Sequence, residues 1–143
     1  MTIYTIGYQN KVHNAQHLKR IAEHLQAVVV DTRFSPFSRN PEWRSGWLKQ
    51  VLGERYIGER GLGNKNYQNG GPIELADPEA AWERLEPMMW EDDIILMCAC
   101  RDQHSCHRTQ AAEYLAARSG QRIVHLAPDY PGDVNQPALP FHW

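Results

Sequence analysis

The chain has 143 residues, 42% of them hydrophobic and 22% charged, with a formal net charge of −2. That length suits one domain and buries enough surface to fold without a disulfide or a metal. The charge balance excludes a global basic field for nucleic acid, and no run approaches the ~18 apolar residues of a membrane helix. Met1 leads straight into a strand-like run, so no secretory leader is expected and the chain reads as cytoplasmic.

Short apolar runs alternate with amphipathic segments, the pattern of βαβ units. Ile3–Ile6 is the first expected strand, closed by Gly7. From Ala15 to Gln26 the apolar positions Leu18, Ile21, Ala22 and Leu25 repeat at helical spacing. Ala27-Val28-Val29-Val30 is β-branched and wholly apolar, which suits a central parallel strand ending at Asp31. A loop with Pro36 and Pro41 follows, and Pro41 is placed to open a helix running to Leu52. Tyr56-Ile57 reads as a short strand, and residues 58–72, rich in Gly and Asn, as an irregular loop. Asp77-Pro78 starts a helix to Met89, an N-cap followed by proline. Ile94–Cys98 is the second buried strand. Ser105 is the expected cap of a helix to Ser119, with Gly120 as its stop, and Ile123–Leu126 is the last strand. The expectation is a three-layer α/β fold, a mostly parallel sheet with helices on both faces. One domain is expected over 1–127, with a proline-rich tail over 128–143.

In a parallel sheet, ligands bind at the carboxyl ends of the strands. Three loops lie there: the one after Gly7-Tyr8, the one after Asp31, and residues 98–108. The third carries Cys98, Cys100 and Cys106, together with His104, His107 and Arg108. Three clustered cysteines make a poor disulfide framework, so they read as thiol chemistry, a metal site or plain core. Their C-x-C-x5-C spacing lacks the paired knuckles of structural zinc, and no metal ligand set is assigned. No phosphate-binding loop signature and no G-x-G-x-x-G is present, and neither Cys98 nor Cys100 has an arginine six residues on.

A helix starting near Cys106 attracts anions through its unsatisfied N–H groups and its dipole. Arg108 in the first turn opposes that dipole, which makes sense if it meets something negative, a phosphate or Asp31. Cys106 gains thiolate character from the same position, and His107 beside it is a base or donor. Cys98, at the end of an apolar strand, reads as a buried core thiol. From Asp31 to Lys65 seven basic residues face four acids, an excess suited either to an anion or to a solvated face.

Thr5-Ile6-Gly7-Tyr8, Val30-Asp31-Thr32-Arg33 with Pro36 and Ser38, Gly61-Leu62-Gly63, Cys98-Ala99 and Cys106-His107-Arg108 together resemble the DUF488 family. Its pattern runs T-I-G-[HY]-S, V-D-V-R-x-x-P-x-S, L-G-G, L-C-A-E and C-H-R. The chain departs from it at Gln9 (for Ser), Asn64 (near the glycine doublet) and Cys100 (for Glu). The resemblance implies a small cytoplasmic α/β protein, of a family mostly prokaryotic and without an agreed activity. It carries over Gly7, Asp31, Arg33, Pro36, Ser38, Cys98, Cys106, His107 and Arg108.

The leading expectation is a strand-end site for a small anionic ligand, a nucleotide or a nucleic-acid end, with hydrolase or transferase chemistry and no cofactor. Asp31, Cys106 and His107 are the catalytic candidates, and Gly7, Tyr8, Arg33, Ser38 and Arg108 the binding candidates. The alternative is a non-catalytic module for nucleic acid or protein. There the Asp31, Arg33, Cys106, His107 and Arg108 side chains form a structural network, and a basic helix between Arg39 and Arg55 docks the partner. No membrane partner is expected, and the sequence does not set the oligomeric state.

Overall fold

The computed structural model describes residues 1–9, 12–99 and 106–126. In chain order it contains β1 (Thr2–Gly7), α1 (Ala15–Leu25), β2 (Ala27–Asp31), α2 (Ser45–Leu52), β3 (Tyr56–Gly58), α3 (Pro78–Met89), β4 (Asp93–Cys98), α4 (His107–Ser119) and β5 (Arg122–His125). The five strands form one sheet in the order β3-β2-β4-β1-β5, and every pairing is parallel. β4 therefore lies between β1 and β2. The chain leaves β1 toward one side of it and leaves β4 toward the other, which makes the crevice over β4 the topological switch point.

Alternate residues on a strand point to opposite faces, and the core divides accordingly. Tyr4, Ile6, Val29, Ile95 and Met97 pack with Leu18, Ile21 and Leu25 of α1 and Leu48 and Leu52 of α2. Ile3, Val30, Ile94 and Leu96 pack with Ala81, Leu85 and Met89 of α3 and Ala111, Ala112 and Leu115 of α4. Among the described residues, five parallel strands with four helices give the expected α/β fold, and the two clusters group α1 and α2 with one set of strand side chains and α3 and α4 with the other. Both ends of α1 are satisfied locally. Asn14 accepts from the backbone N–H of His17 at 2.8 Å, and α1 stops on Gln26, which is left-handed at φ 53°.

Two expected elements differ from the structure. The helix from Pro41 to Leu52 is broken into a 3-10 turn (Pro41–Trp43) and α2, with Arg44 extended at ψ 139° between them. The Trp43 carbonyl accepts from Arg33 Nη1 at 2.6 Å, so a tertiary bond takes the acceptor that a continuous helix needs. The second difference is the cap of α4. Cys106 is its N-cap, extended at φ −114°, and its thiol accepts from the backbone N–H of Arg108. Ser105, the expected cap, lies outside the described residues, as do Cys100, His104 and the 128–143 tail. Among the described residues, no helix is long and apolar enough to cross a membrane.

A candidate ligand cleft at the strand ends

Asp31 closes β2 with its side chain 1% exposed. A buried carboxylate is costly unless charge and hydrogen bonds compensate it. Arg33 supplies both: Nε donates to Oδ1 at 2.8 Å and Nη2 to Oδ2 at 2.6 Å, a bidentate pair. The Arg33 backbone N–H adds a bond to Oδ1 at 3.1 Å, and the Tyr56 hydroxyl donates to Oδ2 at 2.5 Å. Burial works against the Arg33 charge, but the hydrogen bonds and charge of Asp31 outweigh it and hold the guanidinium protonated beyond its ordinary range. The Tyr56 phenol is pushed up by its own burial and by the Asp31 charge.

Thr32, the next residue, points the other way. Its backbone N–H and its hydroxyl both donate to the Met97 carbonyl at 2.9 Å. His107, the first residue of α4, sets Nε2 at 2.9 Å from the Thr32 carbonyl and 3.0 Å from the Thr32 hydroxyl. A carbonyl only accepts, so Nε2 carries the proton and, in the neutral ring, Nδ1 is the acceptor nitrogen. Nδ1 lies 3.9 Å from Cys106 Sγ. Behind His107, Arg108 is 1% exposed, with Nη1 donating to Cys98 Sγ at 3.1 Å.

These loops bound a cavity of about 370 Å³, walled by Tyr8, Arg33, Phe34, Ser35, Phe37, Asn64, Tyr67, Ile73, Ala99 and His107. Tyr8 is fixed by stacking on Trp43, with centroids 4.4 Å apart. Phe34 and Tyr67 lie 6.0 Å apart, and Arg60 covers the Phe34 ring at 4.1 Å. Gly63 brings the 58–75 loop against the Phe34 backbone so closely that a Cβ there would lie 2.5 Å from Phe34 N. That approach brings Asn64 and Tyr67 into the wall of the same cavity as Arg33. The Asn64 side chain accepts from the N–H groups of Asn66 and Glu74 at 3.0 and 3.1 Å and holds the loop closed.

Of the sequence candidates, Tyr8, Arg33 and His107 line the cleft. Asp31 stands behind Arg33, and Gly7 lies beneath at the β1 end, level with Cys98 of β4. Cys106 and Arg108 are interior. Ser38 is used in a turn, its hydroxyl accepting from the Asn40 N–H at 3.1 Å, and is not among the lining residues. Sequence reasoning missed Tyr56, which pairs with Val29 and so reaches Asp31 two positions on. It also missed Thr32 and the aromatic wall of Phe34, Phe37 and Tyr67.

The arrangement defines a class: an α/β protein with an aromatic-walled, partly charged cleft at the switch point of an all-parallel sheet. Within it, residues 72–115 match the family model described as "Domain of unknown function DUF488". The match spans α3, β4 and the start of α4, including Cys98, Cys106, His107 and Arg108. The resemblance read from the motifs holds over that stretch. No curated protein and no solved structure matches the chain.

Proposed function

We propose that the cleft binds a small ligand combining a planar ring with an anionic group, of which a nucleotide or a nucleic-acid end is the type. One observation carries this reading. Phe37 and Tyr67 remain 75% and 50% exposed while lining the same cavity as Arg33 and His107. Exposed aromatic faces beside cationic and imidazole donors suit a stacked base with a phosphate nearby. Arg33 spends Nε and Nη2 on Asp31 and Nη1 on Trp43, and since a guanidinium carries five N–H groups, those outside these three bonds are the ones this reading directs to the anion. In this reading Asp31 positions Arg33, and His107 is the proton-carrying group of the wall, with Cys106 behind it. A hydrolase or transferase step would draw on that pair. A cytoplasmic setting suits such a ligand.

Titration of the purified chain with a nucleoside monophosphate, the bare nucleoside and inorganic phosphate tests this. The monophosphate is expected to raise the melting temperature, by about 2.7 kcal/mol of stabilisation at a hundredfold excess over Kd. Tyr67→Ala is expected to weaken it by about 1–3 kcal/mol, the worth of one stacked base. A 5′-phosphorylated single strand is the nucleic-acid arm. No shift from any of these at millimolar concentration refutes the reading.

The alternative of a binding module has its own support. Asp31 neutralises Arg33 within the protein, and Arg44 is exposed beside the exposed Phe37, with its guanidinium 5.6 Å from that ring. Loss of partner binding on changing Arg44 or Lys49, with no small-ligand shift, would favour it.

A further inference from the structure

Cys98 and Cys106 are buried at the switch point, 0% and 2% exposed, and their sulfurs face each other at 2.6 Å. That is about half an ångström beyond the ~2.05 Å of a disulfide, so their side chains already converge as bond formation requires. Each sulfur also has a donor suited to a thiolate. Cys106 caps α4 and accepts from the Arg108 backbone N–H at 3.5 Å, at the positive end of a 13-residue helix. Cys98 accepts from the Arg108 guanidinium at 3.1 Å. His107 Nδ1, on the acceptor side of the ring, is 3.9 Å from Cys106. A cation, a helix N-terminus and an imidazole around two touching sulfurs favour the thiolate form. Packing alone does not call for a buried arginine on a core thiol.

We propose that Cys98 and Cys106 form a reversible dithiol–disulfide centre whose oxidant is a hydroperoxide. Cys106, at the helix N-terminus beside His107, reacts first. Its thiolate attacks the terminal oxygen of the hydroperoxide. An S–O bond forms, the O–O bond breaks, and the leaving alkoxide takes the thiol's proton and departs as an alcohol, or as water from hydrogen peroxide. Cys98 then attacks the sulfenic sulfur. The S–S bond forms, the S–O bond breaks, and hydroxide leaves as water with the Cys98 proton. Two thiols have lost two protons and two electrons, and the peroxide has taken up both. A dithiol reductant reverses the step by exchange. Neither cysteine is among the residues lining the cleft, so the disulfide is read by thiol labelling and the ligand by thermal shift, and each can fail without the other.

The experiment uses the full chain, which has three cysteines. After reduction it is treated in native buffer with hydrogen peroxide, quenched, denatured and labelled with a maleimide. Reduced protein is expected to take three labels. Oxidised protein should take one, on Cys100, with a mass lower by two hydrogens and a Cys98–Cys106 cross-linked peptide. Dithiothreitol should restore all three labels. Cys100→Ser should keep the cross-link, and Cys98→Ser should leave a sulfenic acid on Cys106 that a dimedone-type nucleophile traps. Three labels after peroxide, a cross-link that includes Cys100, or oxidation that dithiothreitol does not reverse each overturn the proposal. Since the wild-type chain carries the decisive readout, a variant that fails to fold does not rescue it.

Discussion

Replacing Asp31 by leucine strands a guanidinium that is only 7% exposed. Three bonds end on the Asp31 carboxylate from Arg33, and one from Tyr56. Removing one partner of a buried ion pair costs about 3–5 kcal/mol, because the survivor keeps its desolvation penalty without its counter-charge. A domain of this size is stable by only about 5–15 kcal/mol, so Asp31→Leu removes a large fraction of the total. In a urea melt the midpoint is expected to fall by about 2 M, taking a slope near 2 kcal/mol/M. The double variant Asp31→Leu with Arg33→Met separates charge from packing. Exchanging the whole pair for apolar side chains removes the stranded charge, so the double variant is expected to be more stable than Asp31→Leu alone. Two results refute the reasoning. One is a loss under about 1 kcal/mol for Asp31→Leu, which would mean that water reaches Arg33 freely. The other is a double variant as unstable as the sum of the two single ones.

Two further predictions follow from the same neighbourhood. The Tyr56 phenol is raised above its ordinary 10.0 by burial and by Asp31, so its contribution to stability is full below pH 10 and is lost as pH climbs toward the raised folded value. Urea melts across that alkaline range should show a shallower decline for Tyr56→Phe than for the wild type, and equal slopes would discount the contact. Gly63→Ala drives a methyl group to 2.5 Å from the Phe34 backbone nitrogen and 2.6 Å from its Cα, atoms that cannot swing aside. It should cost about 1–3 kcal/mol and weaken ligand binding as Phe34 moves, which calorimetric melting and the nucleotide titration would both register.

Much of the fold was legible because its signals are local. The β-branched run at Ala27–Val30 and the Asp77-Pro78 start of α3 each carry their own cause, and α3 runs from Pro78 to Met89 as the sequence predicts. The break at Arg44 was illegible. It depends on Arg33, a residue from another loop, taking the Trp43 carbonyl. Asp31, Arg33 and His107 could be placed near one another because all three follow strand ends, yet their roles could not be ranked. That ranking needs to know that Tyr56 aligns with Val29 and that Asp31 and Thr32 face opposite layers. Helical and strand periodicity report which side of an element is apolar, not which neighbour it will meet.

The strand order also constrains assembly as the chain is made. β1 has β4 and β5 as its neighbours and does not pair with β2. A nascent chain that has reached Trp90 can join β2 to β3, but its first strand, destined for full burial, still has no partner in the sheet. Arrival of Asp93–Cys98 then knits both halves at once, since β4 bonds β1 on one edge and β2 on the other. Synthesis therefore delivers the keystone late, and the segment that joins the two halves of the sheet is the one that brings in Cys98.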